Sequence, residues 1–368
     1  MKKTYIDTAM ERIAPDLILK GGNVVDVFSG RVIKADVIIK DGIICGVGSY
    51  SGENEQDVSG KYIMPGFIDS HVHIESSMTQ PSEYAKAVMP HGITTVIADP
   101  HEITNVCGED GLEFMLKSAE NIPLDVNLML PSCVPATPFE HTGANLDAKT
   151  TQKLAPKFFG IGEMMNYPGI VSGDDETLGK LCLDIIDGHA PLLSGHELDA
   201  YASVGIKTDH ECSVIEEMTE KISKGMYILL REGTLSLDVA KLIKGVTPYT
   251  LRRCAFCTDD RFVGEIIRDG SIDHCIRKAV SLGLNNIDAI IMATLNACEI
   301  YGMKNKGAIA PSYVADIVVA DDLNLSSISQ VYKNGKLVCE NGKALFECET
   351  VDNSKVTNTV HISRLLQD

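Results

Sequence analysis

The sequence lacks any apolar run approaching the roughly 18 residues that would mark a membrane span, so no membrane association is expected. It also lacks a clustered basic stretch. Its 33 Lys and Arg are outnumbered by 51 Asp and Glu, giving a formal net charge of −18. A phosphate backbone would be repelled, and nucleic acid is not expected as a partner. Residues 1–22 carry charges throughout and have no uninterrupted apolar core of the signal-peptide kind, so no export is expected. The 11 cysteines show no repeating spacing, which predicts buried reduced thiols rather than a disulfide framework, and a cytoplasmic setting. Internal repeats and low-complexity segments are missing as well. What remains is 368 residues, 44% hydrophobic and 23% charged. That is ordinary globular usage, long enough for an α/β barrel of about 250 residues and a smaller companion domain.

From Asp16 to Val58 short β-like runs (Leu17–Leu19, Asn23–Asp26, Ala35–Ile39, Ile43–Cys45) are punctuated by Gly21-Gly22, Asp41-Gly42 and Gly46. The same texture returns at Ala315–Val319, Gln330–Tyr332 and Leu337–Cys339, with Asn334-Gly335 and Asn341-Gly342 as hairpin turns. The two ends therefore predict one small β-sandwich domain, 1–62 with 309–350, followed by a tail, 351–368. Between them, apolar strand-like runs alternate with helical patterns, the grammar of repeated βα units. Eight candidate strands end near His71, Asp99, Leu130, Glu163, His189, His210, Glu232 and Asp259. The predicted fold is a TIM-like (β/α)8 barrel over 63–308. Ser194 and Glu197 predict a capping box at the start of one of its helices.

The sharpest chemical signal is Pro65-Gly66-Phe67-Ile68-Asp69-Ser70-His71-Val72-His73. Alternation along a strand points His71 and His73 the same way, so one strand could offer two imidazoles to one metal. An isolated His-x-His is more often two satisfied histidines. Here other candidate strands also end in good ligands, namely Glu163, His189, His210 and Asp259, where barrel active sites lie. Six nitrogen and oxygen donors exceed the needs of one tetrahedral ion, and two divalent ions sharing a bridging group fit better. Such a pair lowers the pKa of a bridging water and makes hydroxide available for hydrolysis or deamination. Asp259 is preferred to Asp260 on phase, two residues beyond Cys257.

Pro65 to His73 resembles the opening metal motif of the amidohydrolase superfamily. The runs His73-Ile74-Glu75-Ser76-Ser77-Met78, Ala98 to Val106, Gly188-His189-Ala190-Pro191, Thr208-Asp209-His210-Glu211 and Arg231-Glu232-Gly233 are similar to its adenine deaminases. The resemblance covers roughly residues 20 to 345. It implies that His71, His73 and Asp259 hold one metal, His189 and His210 the second, with Glu163 between, and that manganese or iron is favoured, with zinc as the alternative. It implies hydrolytic deamination of adenine to hypoxanthine and ammonia. Asp259 would move the proton, with Glu163 and His101 as further candidates. It places Asp99, His101 and Glu102 against the purine, with Ser76 ranked lower. Those deaminases continue into a further C-terminal domain that this sequence does not include, so an incomplete, inactive barrel is one alternative. Another is an amidohydrolase acting on a cyclic amide or an amino sugar. A homodimer is expected from base rates alone.

Several residues are discounted. Cys254 and Cys257 fall on opposite sides of a strand and predict packing, not a redox or zinc pair. His91, His196 and His274 are expected to be structural, and His141 to lie in a surface loop, Pro135 to Gly143. Arg231 and Glu232 are expected to form an internal ion pair that shapes the pocket, a reading set at least level with direct contact, and are left out of catalysis.

Overall fold

The computed structural model describes residues 2–137 and 139–360. The expected tail thus lies partly outside the described residues, as does Pro138.

Strands β1 (Leu17–Asp26), β2 (Arg31–Lys40), β3 (Ile43–Gly48), β4 (Glu55–Asp57) and β5 (Tyr62–Pro65) come from the first part of the chain. The two runs expected at Leu17 and Asn23 are one strand, β1, bulged between Leu19 and Gly22. Gly21 makes the bulge feasible: its φ is +69°, and a Cβ there would meet Ser59 Oγ at 2.7 Å.

Eight parallel strands follow: β6 (Phe67–Val72), β7 (Ile93–Ala98), β8 (Asp125–Leu130), β9 (Gly160–Met164), β10 (Ile186–Gly188), β11 (Thr208–Asp209), β12 (Tyr227–Arg231) and β13 (Cys254–Cys257). Each ends within two residues of the position read from sequence. β6 and β7 are buried along their whole length, as strands covered on both faces are, including Asp69, Ser70 and His71 of β6 and Thr94 and Thr95 of β7. They form two sheets, ordered β10-β9-β8-β7-β6 and β11-β12-β13.

The edge strands of the two sheets meet twice. Val72 and Asp259 form a parallel bridge, the Asp259 N–H donating to His71 O at 2.9 Å and the His73 N–H to Asp259 O at 3.2 Å. At the other seam, side chains replace the ladder: the Gly188 N–H donates to Thr208 Oγ1 at 3.0 Å and the Ala190 N–H to Asp209 Oδ2 at 2.9 Å.

The chain then returns to the first sheet with β14 (Ile317–Ala320), β15 (Ile328–Lys333), β16 (Lys336–Glu340) and β17 (Lys343–Ala344). β14 pairs antiparallel with β5, Ile317 opposite Pro65 and Ala320 opposite Tyr62, so both chain ends share one sheet. Where the sequence predicts a sandwich, this pairing makes one nine-stranded sheet, a path of eight strands with β4 branching from β1. Its tight turns are those the sequence marks: Asn334-Gly335 (φ 49° and 74°) and Asn341-Gly342 (φ 49° and 76°) each have both residues left-handed, the demand that Asn-Gly meets in a two-residue hairpin.

The helix Gly195–Ser203 begins at Ser194 as expected, but Ser194 makes no side-chain cap bond. Glu220 Oε1, from the following helix, accepts from the Gly195 N–H at 2.8 Å instead. All 11 cysteines are free, and Cys254 and Cys257 are buried in different apolar clusters. Among the described residues no helix is long and apolar enough to cross a membrane.

Candidate metal centre

The candidate ligands sit at the carboxyl ends of the parallel strands. His71 lies within β6 and His73 one residue past it, Glu163 near the end of β9, His189 and His210 just after β10 and β11, and Asp259 two residues after β13. The six converge. His71 Nε2 is 3.1 Å from His73 Nε2. Asp259 Oδ1 is 3.2 Å from His73 Nε2 and 3.6 Å from His71 Nε2. Glu163 reaches both sides: Oε1 is 3.4 Å from His73 Nε2, while Oε2 is 2.6 Å from His189 Nδ1 and 3.1 Å from His210 Nε2.

The phase argument for Asp259 fails in its premise although the residue arrives. β13 stops at Cys257, and Asp259 is left-handed at φ 57°, so strand alternation no longer applies. The backbone bridge to Val72 aims it inward. Asp260 is exposed and accepts from Ser76 Oγ.

A divalent metal fits this donor set. Two ring nitrogens facing each other at 3.1 Å are mutually repulsive unless a proton or a cation lies between them. Glu163 and Asp259 bring two buried carboxylates into the same space, and buried charges are found paired or bound to a metal. Imidazole and carboxylate donors suit Zn, Mn and Fe. Several overlapping triads could hold an ion, among them His71–His73–Glu163, His71–His210–Asp259 and Glu163–His189–His210.

Charges settle accordingly when only protons are present. Burial opposes a charged His71, but the Asp187 and Asp259 carboxylates outweigh it and raise the imidazole to about 10. His101 rises to about 11 against the same penalty, through Glu102 and Glu163. Burial would lift Glu163, yet contacts from His101, His189 and His210 hold it far below the usual carboxylate range.

The cluster expected to face the substrate divides. His101 opens the helix His101–Ser118, its Nδ1 3.0 Å from Glu163 Oε1 and its Nε2 3.2 Å from Glu102 Oε1. Glu102 is partly exposed and keeps Oε2 free. Asp99 is buried beneath Glu163 instead: its Oδ2 accepts the Glu163 N–H at 2.9 Å. Gly162 permits this approach, since a Cβ there would lie 2.1 Å from Asp99 Oδ2. Gly162→Ala is expected to displace Asp99, cost about 2–3 kcal/mol and loosen Glu163, read as a lower melting temperature together with lower metal content.

Sequence reasoning gave no role to Asp69 or Glu75 and gave Arg231 the wrong partner. Asp69, which burial pushes to about 6 despite hydrogen bonds from Thr258, ties β6 to the segment after β13. Glu75, pushed to about 7 by burial and by the Glu102 charge, accepts the Ile103 N–H at 3.3 Å. Arg231 does not pair with Glu232, because successive strand residues face opposite ways. Glu232 turns to Lys278, and Arg231 meets Glu211, Asp238 and Asp259. Of the discounted histidines, His196 and His141 are exposed and His91 contacts Asp273. Ser77 hydrogen-bonds Ile74 O, as a turn residue does.

The amidohydrolase family model matches residues 62–338. An adenine deaminase of Clostridium acetobutylicum is 49% identical over 371 residues, covering 99% of this chain and 65% of its own length. A second, from Desulfotalea psychrophila, is 49% identical over 359 residues, covering 96% of this chain and 62% of its own length. The chain thus spans somewhat less than two thirds of these relatives. Among solved structures, enamidase superposes with a TM-score of 0.67 at 18% identity, covering 90% of this chain and 97% of that one.

Proposed function

The chain belongs to the amidohydrolase family, and we propose from that premise that it hydrolyses adenine to hypoxanthine and ammonia at a centre of two divalent metal ions, manganese or iron by preference. The two parallel sheets are then one (β/α)8 barrel over 63–308, and the nine-stranded sheet, 1–62 with 309–350, is its companion domain.

The observation that carries this reading is the convergence of His71, His73, Glu163, His189, His210 and Asp259 beside a carboxylate with an unused oxygen, Glu102. The adenine deaminase relatives, matching nearly the whole chain, support the substrate. His71, His73 and Asp259 hold one ion, His189 and His210 the other, and Glu163 touches both groups. Such ions supply Lewis acidity that lets water lose a proton near neutral pH. The chain's own residues do the rest. Asp259 accepts the proton and returns it toward the leaving amine. His101, 3.0 Å from Glu163 Oε1, relays protons at the opposite edge. Glu102 Oε2 accepts from a purine N–H, and Ser76 orients the loop beside it by its bond to Asp260. Asp99 braces Glu163 and contacts the base only through its free Oδ1.

The test is ammonia release from adenine by protein reconstituted with manganese or ferrous iron, beside adenosine and a cyclic amide. Turnover of adenine alone is expected; turnover of the cyclic amide in its place would overturn the substrate. Glu102→Gln is expected to lower kcat/KM for adenine by about tenfold to a hundredfold, the worth of one charged hydrogen bond to substrate. Metal content should be unchanged; equal loss of metal would make Glu102 a ligand.

A further inference from the structure

Arg231 closes β12 and is nearly buried, and each guanidinium nitrogen meets an acid. Nη1 and Nη2 fork onto the two oxygens of Glu211, Nη2 to Oε2 at 3.3 Å. Nη1 also donates to Asp259 Oδ2 at 3.0 Å, and Nε to Asp238 Oδ2 at 3.1 Å. Asp238 is itself held by Lys241 Nζ at 2.7 Å.

Two of these acids adjoin the donor cluster from opposite sides. Asp259 turns Oδ1 toward His71 and His73 while Oδ2 stays on the guanidinium. Glu211 Oε1 lies 3.7 Å from His210 Nε2 and 3.8 Å from His189 Nδ1. It is near enough to become a seventh donor, and the fork holds it back. A planar guanidinium fixes carboxylate direction in a way that a lysine point charge does not.

We propose that Arg231 is a positioning residue of the metal centre: by clamping Glu211 and Asp259 together it limits Asp259 to one metal-facing oxygen and keeps Glu211 out of the donor set. This rests on the reading that the six residues bind metal. It predicts that the clamp, rather than the inventory of nearby carboxylates, sets the coordination number on the His189–His210 side.

Cobalt(II) titration followed by visible absorption tests it without recourse to turnover. Glu211→Gln is expected to take up as much cobalt as wild type with the same spectrum, because Glu211 is not a ligand. Arg231→Gln should bind as much cobalt but with weakened visible bands, as the freed Glu211 raises the coordination number. The double variant Arg231→Gln/Glu211→Gln should recover the part of the band intensity lost to Glu211 and keep only the change due to the freed Asp259 Oδ2. Adenine turnover by Arg231→Gln should fall about a hundredfold in kcat at similar KM, the scale of a slightly misplaced catalytic group.

Loss of cobalt in Glu211→Gln, or a wild-type spectrum in Arg231→Gln, would overturn the proposal. Should Arg231→Gln not fold, Glu211→Gln and Arg231→Lys decide it, the latter expected to share the altered spectrum because lysine cannot form the fork. Wild-type protein that binds cobalt yet leaves adenine untouched would sink the substrate and leave the clamp standing. Failure of wild type to bind cobalt would sink both.

Discussion

On the proposed two-metal reading, Glu163→Gln is expected to reduce bound metal from two ions per chain to one or none and to lower adenine turnover by about 10³-fold, some 4 kcal/mol of transition-state stabilisation. Four imidazoles depend on this one carboxylate: His73 and His101 on Oε1, His189 and His210 on Oε2. Gln offers one acceptor where Glu offers two, and its amide nitrogen would push a donor toward ring nitrogens that need an acceptor or a metal. The volume is nearly unchanged and Asp99 still accepts the backbone N–H, so the strand should keep its place. The loss is therefore electrostatic. Metal analysis and circular dichroism on the same preparation check it. A folded Glu163→Gln protein carrying two ions and turning over normally would remove Glu163 from the bridging position.

The readiness of this site to be read from sequence has a physical origin. Strands covered on both faces are mostly apolar, so a His or Glu at the stop of a run such as β6 or β9 stands out, whereas the short β10 and β11 offer little contrast. Side-chain alternation then places His71 and His73 together without any knowledge of the fold. Where alternation stops, so does this kind of inference. Asp259 follows a strand that ends early, and what aims it is a backbone bridge to Val72, at the far end of the barrel segment in sequence. Asp99 looks like one more acid at a strand mouth, yet its role is set by the missing side chain at Gly162. A glycine directly before a strand-end glutamate was the available signal. Arg231 and Glu232 are neighbours in sequence, and their opposite facing gives them unrelated partners. The capping box at Ser194 fails for a similar reason, since Glu220 competes for the helix N-terminus from outside the local window.

Chelation is expected to lower the melting temperature, and by more at pH 9 than at pH 6.5. In the metal-free protein His71 and His73 are stabilised as cations. His71 is raised from 6.5 to about 10, burial resisting and Asp187 and Asp259 prevailing, and His73 is raised as well. A group whose folded pKa lies above its unfolded value contributes stability that is fully present below the unfolded value. That contribution disappears as pH climbs through the folded one. The metal-free protein should therefore lose stability from about pH 6.5 toward pH 10. Metal binding runs the other way, since each imidazole must shed its proton before it can ligate, and affinity rises with pH over the same window. With free metal about a thousandfold above its dissociation constant, one ion stabilises the folded chain by roughly 4 kcal/mol. For a chain of this length that amounts to a shift of several degrees or more, on the order of 10 °C. Calorimetric scans with and without chelator at the two pH values measure the gap directly. A gap that stays constant or narrows toward pH 9 would mean that the metal does not replace protons on these histidines, and the ion would have to be sought elsewhere in the molecule.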